Sequence, residues 1–425
     1  MLSRQLRAQA SLAGEGGLAS ALRCPPLDLG SGPSRRAAPM HRASISFVLL
    51  ASLLVPQVAQ AADADEVYGK ALKFLLNSQH ENGSFGQIPG QPPGEIGITG
   101  LVIRGLAQAP GEHRAMGRRA AEKAMAWVLG HQQPDGSFTQ QRSGLSTYRT
   151  AIAINAMAAL DKAKYRAQID KAAAWLKQDQ FDAGEKIGED NPHYGGFGYG
   201  KAGKKPDADM SNTLMALGAL RDAGVKSDDP VFKRALLFLK RCQNSSETNP
   251  GVGKLKPKND GGFIYDPGLS RNKSAQLENA DGTVSFESYA SMTYGGLMSL
   301  LHAGVNKDDP TIKAALAWIG EHYTLEENYG LGVRQKDPKA AQQGMFYYFH
   351  VFAKSLATLD TPTIQTKQGP RNWAQDLVDV LAKRQSKDGS FTNPVDRWWE
   401  KDPVLVTAYV INALDYAYPY LEAKK

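Results

Sequence analysis

Lys70-Ala71-Leu72-Lys73-Phe74-Leu75-Leu76-Asn77-Ser78-Gln79-His80-Glu81-Asn82-Gly83-Ser84-Phe85 carries the pattern that decides the fold. Its first half is apolar at helical spacing with Lys between, which is an amphipathic helix. Gln, then Gly four residues later, then Ser-Phe, reads as the helix end and its exit turn. The same segment returns from Lys123 through Trp127, Gln132 and Gly136 to Phe138, and again from Leu377 through Gln385 and Gly389 to Phe391. Degenerate copies run from Trp175 to Gln180, followed by Gly195-Gly196-Phe197, and from Phe238 to Gln243, followed by Gly261-Gly262-Phe263. A sixth helix, Thr311 to Tyr323 with Trp318, has lost the Gln.

After each turn comes a second helix rich in small and apolar residues: 96–109, 148–160, 209–224, 288–304, 345–360 and 403–421. The first helix of each pair keeps a charged face and reads as outer. The second is nearly all apolar or small and reads as inner, packed on both sides. No strand alternation of useful length occurs, so the chain is predicted to be all-α, twelve helices in six pairs. The turn has a physical logic. A buried helix end leaves backbone groups without partners, and a Gln amide can donate to one and accept from another. Gly permits a positive φ, and the following Phe packs back on the helices.

The 425 residues are 42% hydrophobic and 22% charged, a globular composition that excludes a disordered chain. Two cysteines exclude a disulfide scaffold, and a mean hydropathy of −0.39 argues against a multi-span membrane protein. The formal charge of +7 is concentrated in residues 1–61, with six basic residues and two acids. The remainder holds 44 basic against 41 acidic residues, so no basic stripe argues for nucleic acid.

Residues 1–61 read as a leader. His41 and Arg42 precede an apolar run from Ile45 to Val55, Pro56 breaks it, and Ala59-Gln60-Ala61 forms a small-residue cleavage site. This is the layout of a secretory signal peptide, too short for a membrane anchor, with cleavage expected after Ala61. Residues 1–39 show no periodicity, which places the translation start at Met40. The alternative is a long n-region with Arg35-Arg36 as a weak twin-Arg signal. Residues 62–425 then form a single exported domain, periplasmic or extracellular, with no integral membrane segment. Cleavage removes Cys24 and leaves Cys242, a buried packing residue at the end of a helical run.

The Lys/Arg-Ala-x-x-aromatic-Leu/Val-x-x-x-Gln-x-x-x-Gly-x-aromatic pattern resembles the QW repeat shared by squalene and oxidosqualene cyclases and by protein prenyltransferase β subunits. It covers residues 65–421. The resemblance implies an (α/α)6 toroid, six inner helices inside six outer ones, with a central cavity at the end where the inner helices begin. Their first turns supply Tyr148, Arg149, Asp209, Asn212, Glu287, Tyr289, Tyr347, Tyr348 and His350, with Trp398 and Trp399 in the preceding loop. Aromatic faces with a few acids suit an apolar polyene and stabilise developing carbocations. Tyr148, Arg149, Asn212, Tyr289, Tyr347, Tyr348, Trp398 and Trp399 are therefore the candidate substrate-binding residues, and Asp209, Glu287 and His350 the candidate catalytic ones.

Two family motifs map only in part. Squalene-type cyclases protonate their substrate from an Asp-x-Asp-Asp-Thr segment. This chain has Pro206-Asp207-Ala208-Asp209-Met210-Ser211-Asn212-Thr213, in which alignment on Thr213 puts Ser211 at the proton donor. Alignment on Asp207-Ala208-Asp209 makes Asp209 the donor and loses the Asp-Thr that follows. Prenyltransferases hold zinc by Asp, Cys and His. His350 matches the His and Glu287 replaces the Asp, while Tyr289 stands where the Cys belongs. The resemblance leaves room for zinc at Asp209, Glu287 and His350, and no other cofactor is expected.

Three functions follow as expectations: an exported cyclase- or prenyltransferase-like protein acting on or binding an isoprenoid or other apolar ligand; a non-catalytic binding toroid; and an exported polysaccharide lyase or hydrolase on an α/α toroid. No protein partner is indicated.

Overall fold

The structure is a computed structural model, and it describes residues 61–140, 144–200, 206–249, 251–268, 276–332 and 339–421. The leader expectation falls on residues outside this set, apart from Ala61. The first helices of the pairs are α1 (Ala64–Asn77), α3 (His113–Leu129), α5 (Arg166–Asp179), α7 (Pro230–Cys242), α9 (Pro310–Glu321) and α11 (Trp373–Arg384). The second helices are α2 (Ile96–Gln108), α4 (Ser146–Asp161), α6 (Met210–Ala223), α8 (Ala290–His302), α10 (Met345–Leu359) and α12 (Pro403–Ala417).

Each second helix packs on the next, and α12 returns to α2, closing an inner ring. The first helices lie outside: α3, α5, α7 and α11 each pack against two inner helices, α9 packs on α8 and α1 on α12, and α11 meets α1. The expected toroid of six inner and six outer helices is what the chain forms. Burial follows: α6 and α8 are buried along almost their whole length, while α3 and α5 bury a single stripe.

Two short hairpins depart from the all-helical expectation: β1 (Gln276–Glu278) with β2 (Val284–Phe286), and β3 (Ile364–Thr366) with β4 (Gly369–Arg371). Each strand has three residues, too few for periodicity to reveal. Cys242 is fully buried, and burial pushes its thiol well above the usual range.

Five turns share one hydrogen-bond device. Gln79 Nε2 donates to Gly83 O in its own turn and to Ala120 O in α3, both at 2.9 Å. Gln132 reaches Gln168 O in α5 (3.0 Å), Gln180 reaches Val231 O in α7 (2.8 Å), and Gln243 reaches Thr311 O in α9 (2.9 Å). Gln385 reaches Val67 O in α1 (2.9 Å), so the last copy closes onto the first. A second clamp was not expected. The N–H of each turn Phe donates to a Thr hydroxyl in the first turns of the following inner helix: Phe85 to Thr99, Phe138 to Thr150, Phe197 to Thr213, Phe263 to Thr293 and Phe391 to Thr407, all at 2.9–3.1 Å.

The turn glycines are required twice over. Gly136 has φ +100°, and a Cβ there would lie 2.4 Å from Lys171 O in α5; Gly389 has φ +89° and would meet Lys70 O at 2.3 Å. Gly282 also has positive φ (+75°) but open space around it. Gly282→Ala should therefore cost about 1 kcal/mol for the left-handed conformation alone. Gly136→Ala should cost about 1–3 kcal/mol more, because a backbone carbonyl blocks the methyl. Urea unfolding of both variants measures the difference, and equal losses would contradict the close approach.

Candidate functional site

The N-terminal turns of all six inner helices converge on a cavity of about 460 Å³. Its wall includes six tyrosines: Tyr148, Tyr199, Tyr265, Tyr289, Tyr347 and Tyr409. Burial holds the Tyr148, Tyr265 and Tyr289 phenols well above their ordinary range, with the nearby Asp209 charge adding to it. They are neutral hydrogen-bonding groups at any physiological pH. Ser211 Oγ and Tyr347 Oη are 2.9 Å apart, and Tyr199 Oη and Tyr265 Oη 3.0 Å.

One ion pair is embedded in this wall. Glu95 is the N-cap of α2, and its Oε2 accepts from Ile98 N at 2.7 Å. Its Oε1 accepts from Arg149 Nε at 2.8 Å. Both side chains are nearly inaccessible. Arg149 Nη1 reaches Gln140 O at 3.4 Å, and Nη2 is buried with no partner. A guanidinium with unused donors beside a cavity is a ready site for a ligand oxygen.

Glu400 is the second acid in the wall, 1% exposed. Its Oε1 accepts from Phe346 N (3.0 Å) and Tyr347 N (2.8 Å) at the start of α10, and its Oε2 from Asn393 Nδ2 (2.6 Å). α10 begins at Gly344, which has no side chain to cap it, so Glu400 supplies the cap from the α11–α12 loop. Just before it, Trp398 (φ 54°) and Trp399 (φ 65°) stand in the left-handed region, each 47% exposed at the cavity edge. The Trp398 ring lies against Gly344, where a Cβ would meet it at 3.0 Å.

Of the residues singled out from sequence, Tyr148, Arg149, Tyr289, Tyr347, Trp398 and Trp399 line the cavity. Asp209 is fully buried at the N-cap of α6, outside the lining, with Oδ1 accepting from Asn212 N (2.8 Å) and Oδ2 from Asn212 Nδ2 (2.9 Å). Asn212 is thus engaged in capping. Tyr348 packs against Tyr294 and Phe352 and donates to Thr324 O at 2.7 Å. Glu287, before α8, pairs with Lys258. His350 lines a separate small chamber. Asp209, Glu287 and His350 do not converge, and among the described residues no group of three His, Cys, Asp or Glu side chains is placed to hold a metal ion. The zinc arrangement has no donor set among the described residues.

Sequence reading missed Glu400, Tyr199, Tyr265 and Tyr409. A signal existed for two of them. Tyr199 and Tyr265 each stand two residues after a turn Phe, Phe197 and Phe263, and both line the cavity.

An all-α toroid with an aromatic cavity where its inner helices begin is the class of protein that this geometry defines. Comparison with known proteins agrees with the expected resemblance. Residues 91–250 match the squalene-hopene cyclase C-terminal domain family. The type II terpene cyclase MstE from Scytonema, in a variant bound to geranylgeranyl dihydroxybenzoate, superposes with a TM-score of 0.51 at 15% identity, covering 84% of this chain and 98% of that one. A ligand-free variant of the same cyclase gives 0.51 at 16%, with the same coverage. The GH76A α-1,6-mannanase from Salegentibacter sp. HEL1_6 gives 0.50 at 10%, covering 84% and 100%. At these identities the likeness is one of fold. No curated protein sequence matches the chain.

Burial pushes the Glu400 carboxyl up to about 7, against the lowering effect of its hydrogen bonds from Asn393 and the α10 backbone. Its ordinary value is 4.5. A folded value above the unfolded one contributes stability that is complete below the unfolded value and lost as pH rises through the folded one. Wild-type stability should therefore fall relative to Glu400→Gln by up to about 3 kcal/mol between acid pH and pH ~8. Urea unfolding of both proteins across that range provides the check; parallel curves would show that Glu400 does not titrate there.

Proposed function

We propose that the cavity binds an isoprenoid or another apolar chain, with the polar end of the ligand at Arg149. The observation that carries this reading is the wall itself: six tyrosines from five inner-helix regions around about 460 Å³, broken by one buried ion pair with unused donors. A volume of this size is in the range of small-molecule sites. Aromatic faces favour an apolar chain and any cationic character that develops along it. The cyclase that shares the fold is described in complex with geranylgeranyl dihydroxybenzoate, an apolar chain with a polar end. The near-neutral body gives no support to nucleic acid as a partner, and among the described residues no helix is long and apolar enough to cross a membrane. The leader supports a place of action outside the cytoplasm.

Two acids are available if the ligand is also transformed. Glu400 lies in the wall and is part-protonated near neutral pH; Asp209 lies behind the tyrosines with its oxygens bound by Asn212.

Residues 62–425 are to be isolated from the host compartment, extracted with organic solvent and analysed by mass spectrometry, then titrated with geranylgeraniol and with mannan oligosaccharides. A polyprenyl compound recovered at stoichiometric level, or a Kd on the order of micromolar for geranylgeraniol, supports the reading. A ligand released unchanged makes the protein a binding toroid. An isomerised product makes it a cyclase, and Glu400→Gln or Asp209→Asn should then slow it by about 100-fold or more. Binding of oligosaccharide with none of polyprenyl overturns the proposal in favour of a sugar-active toroid.

A further inference from the structure

Below the tyrosine cavity, past Leu101 and Ile152, lies a second chamber of about 10 Å³, bounded by Arg104, Asn155, His350, Lys354 and Tyr416. All but one of the six inner helices contribute to its wall, and α8 adds His302 close by, so it sits in the middle of the inner ring. We propose that this chamber is a binding site for a single halide ion, chloride being the physiological occupant, held by Lys354 and Arg104 with Asn155 and His350.

The argument starts from Lys354. It lies two-thirds of the way along α10 and is 8% exposed. Its ammonium reaches across the ring toward α6, where a Cβ on Gly218 would meet Nζ at 3.1 Å and His302 Nε2 at 3.7 Å. Lys354 lines the chamber, and among the described residues no carboxylate and no hydrogen-bond acceptor engages its ammonium. A buried charge without a partner is costly, and natural proteins pair it or bind an ion.

The surrounding groups do not supply the missing negative charge. Arg104 bonds Asn412 Oδ1 at 2.6 Å and lies over the Tyr416 ring at 4.1 Å. Asp415 Oδ2 is 3.6 Å from Arg104, so that carboxylate is taken up by Arg104 and not by Lys354. Asp222 is bound by Asn155 Nδ2 at 2.7 Å, which leaves Asn155 one free N–H. His350 Nδ1 and His302 Nε2 are buried without partners. Both imidazoles are held neutral, by burial first and then by the Lys354 charge, with Arg104 acting on His350 and Arg221 on His302. An ammonium with no carboxylate, beside a guanidinium and neutral donors around a void, makes an anion site. A water molecule in the void would leave the charge uncompensated in a poorly polarisable interior. The void holds one water-sized guest, which excludes phosphate, sulfate and carboxylates and leaves a monatomic anion.

The test compares thermal unfolding in sodium chloride, bromide and gluconate at equal ionic strength. Halide should raise Tm by several degrees over gluconate, and the gain should grow with the logarithm of halide concentration. Lys354→Met, which keeps length and removes charge, should abolish the halide-specific gain while unfolding cooperatively in gluconate. Anomalous diffraction from crystals of the unaltered protein in bromide gives a readout independent of any variant, with one peak expected beside Lys354 Nζ. Equal Tm in halide and gluconate, a gain that survives Lys354→Met, or only water in the chamber would each overturn the site.

Discussion

The glutamine amide that ends five of the six outer helices is the contact on which the toroid depends. An α-helix leaves its last carbonyls unpaired, and a ring of helix ends packed against neighbours would bury them at a cost. Gln79, Gln132, Gln180, Gln243 and Gln385 each donate to a carbonyl of their own exit turn and to a backbone carbonyl of the next outer helix, so a single amide ties the helix end to its neighbour. The bond is to backbone, so it tolerates any side chain on the neighbour and can be repeated. The positive-φ glycine brings the turn against that neighbour, and the Phe–Thr clamp ties it to the inner helix. Inner and outer rings are thereby registered by the same turn.

The α9–α10 repeat lacks the Gln, and the structure shows what replaces it. Between α9 and α11 the β3–β4 hairpin packs on α9, with Lys367 N donating to Gly320 O at 3.0 Å. Tyr323 Oη donates to Asp376 Oδ2 at 2.8 Å, joining the end of α9 to α11. The start of α10 takes its cap from Glu400 rather than from a turn Phe–Thr pair. The cap arrives from the α11–α12 loop of the next repeat, and the same loop carries Trp398, Trp399 and Glu400 to the cavity. The irregular repeat and the distinctive part of the cavity wall are thus one feature.

Two buried polar systems lie on the ring axis. At the end where the inner helices start, the Glu95–Arg149 pair and the tyrosines face open volume. Deeper, Arg104, Lys354 and His350 face a void with room for a single small guest. Leu101 and Ile152 border both, so a thin apolar floor divides them. Charge buried at both levels is expensive and is held only because the surrounding helices are closely packed.

The resemblance to the QW repeat implied the closed ring, while the residues alone determined the helix pairs and the inner and outer assignment. Those features rest on local periodicity and on a turn that repeats, and both are legible over a few dozen residues. The sequence also named Tyr148, Arg149, Tyr289, Tyr347, Trp398 and Trp399, because the residues that open an inner helix must face the mouth. Only the tertiary structure decided that Asp209, Glu287 and His350 stand apart, since a shared position near a helix start leaves their heights and faces different. It alone paired Glu95 with Arg149 and brought Glu400 to α10, each across 54 residues of chain. Such pairings depend on where separate helices meet in space, and no spacing along the chain encodes that distance.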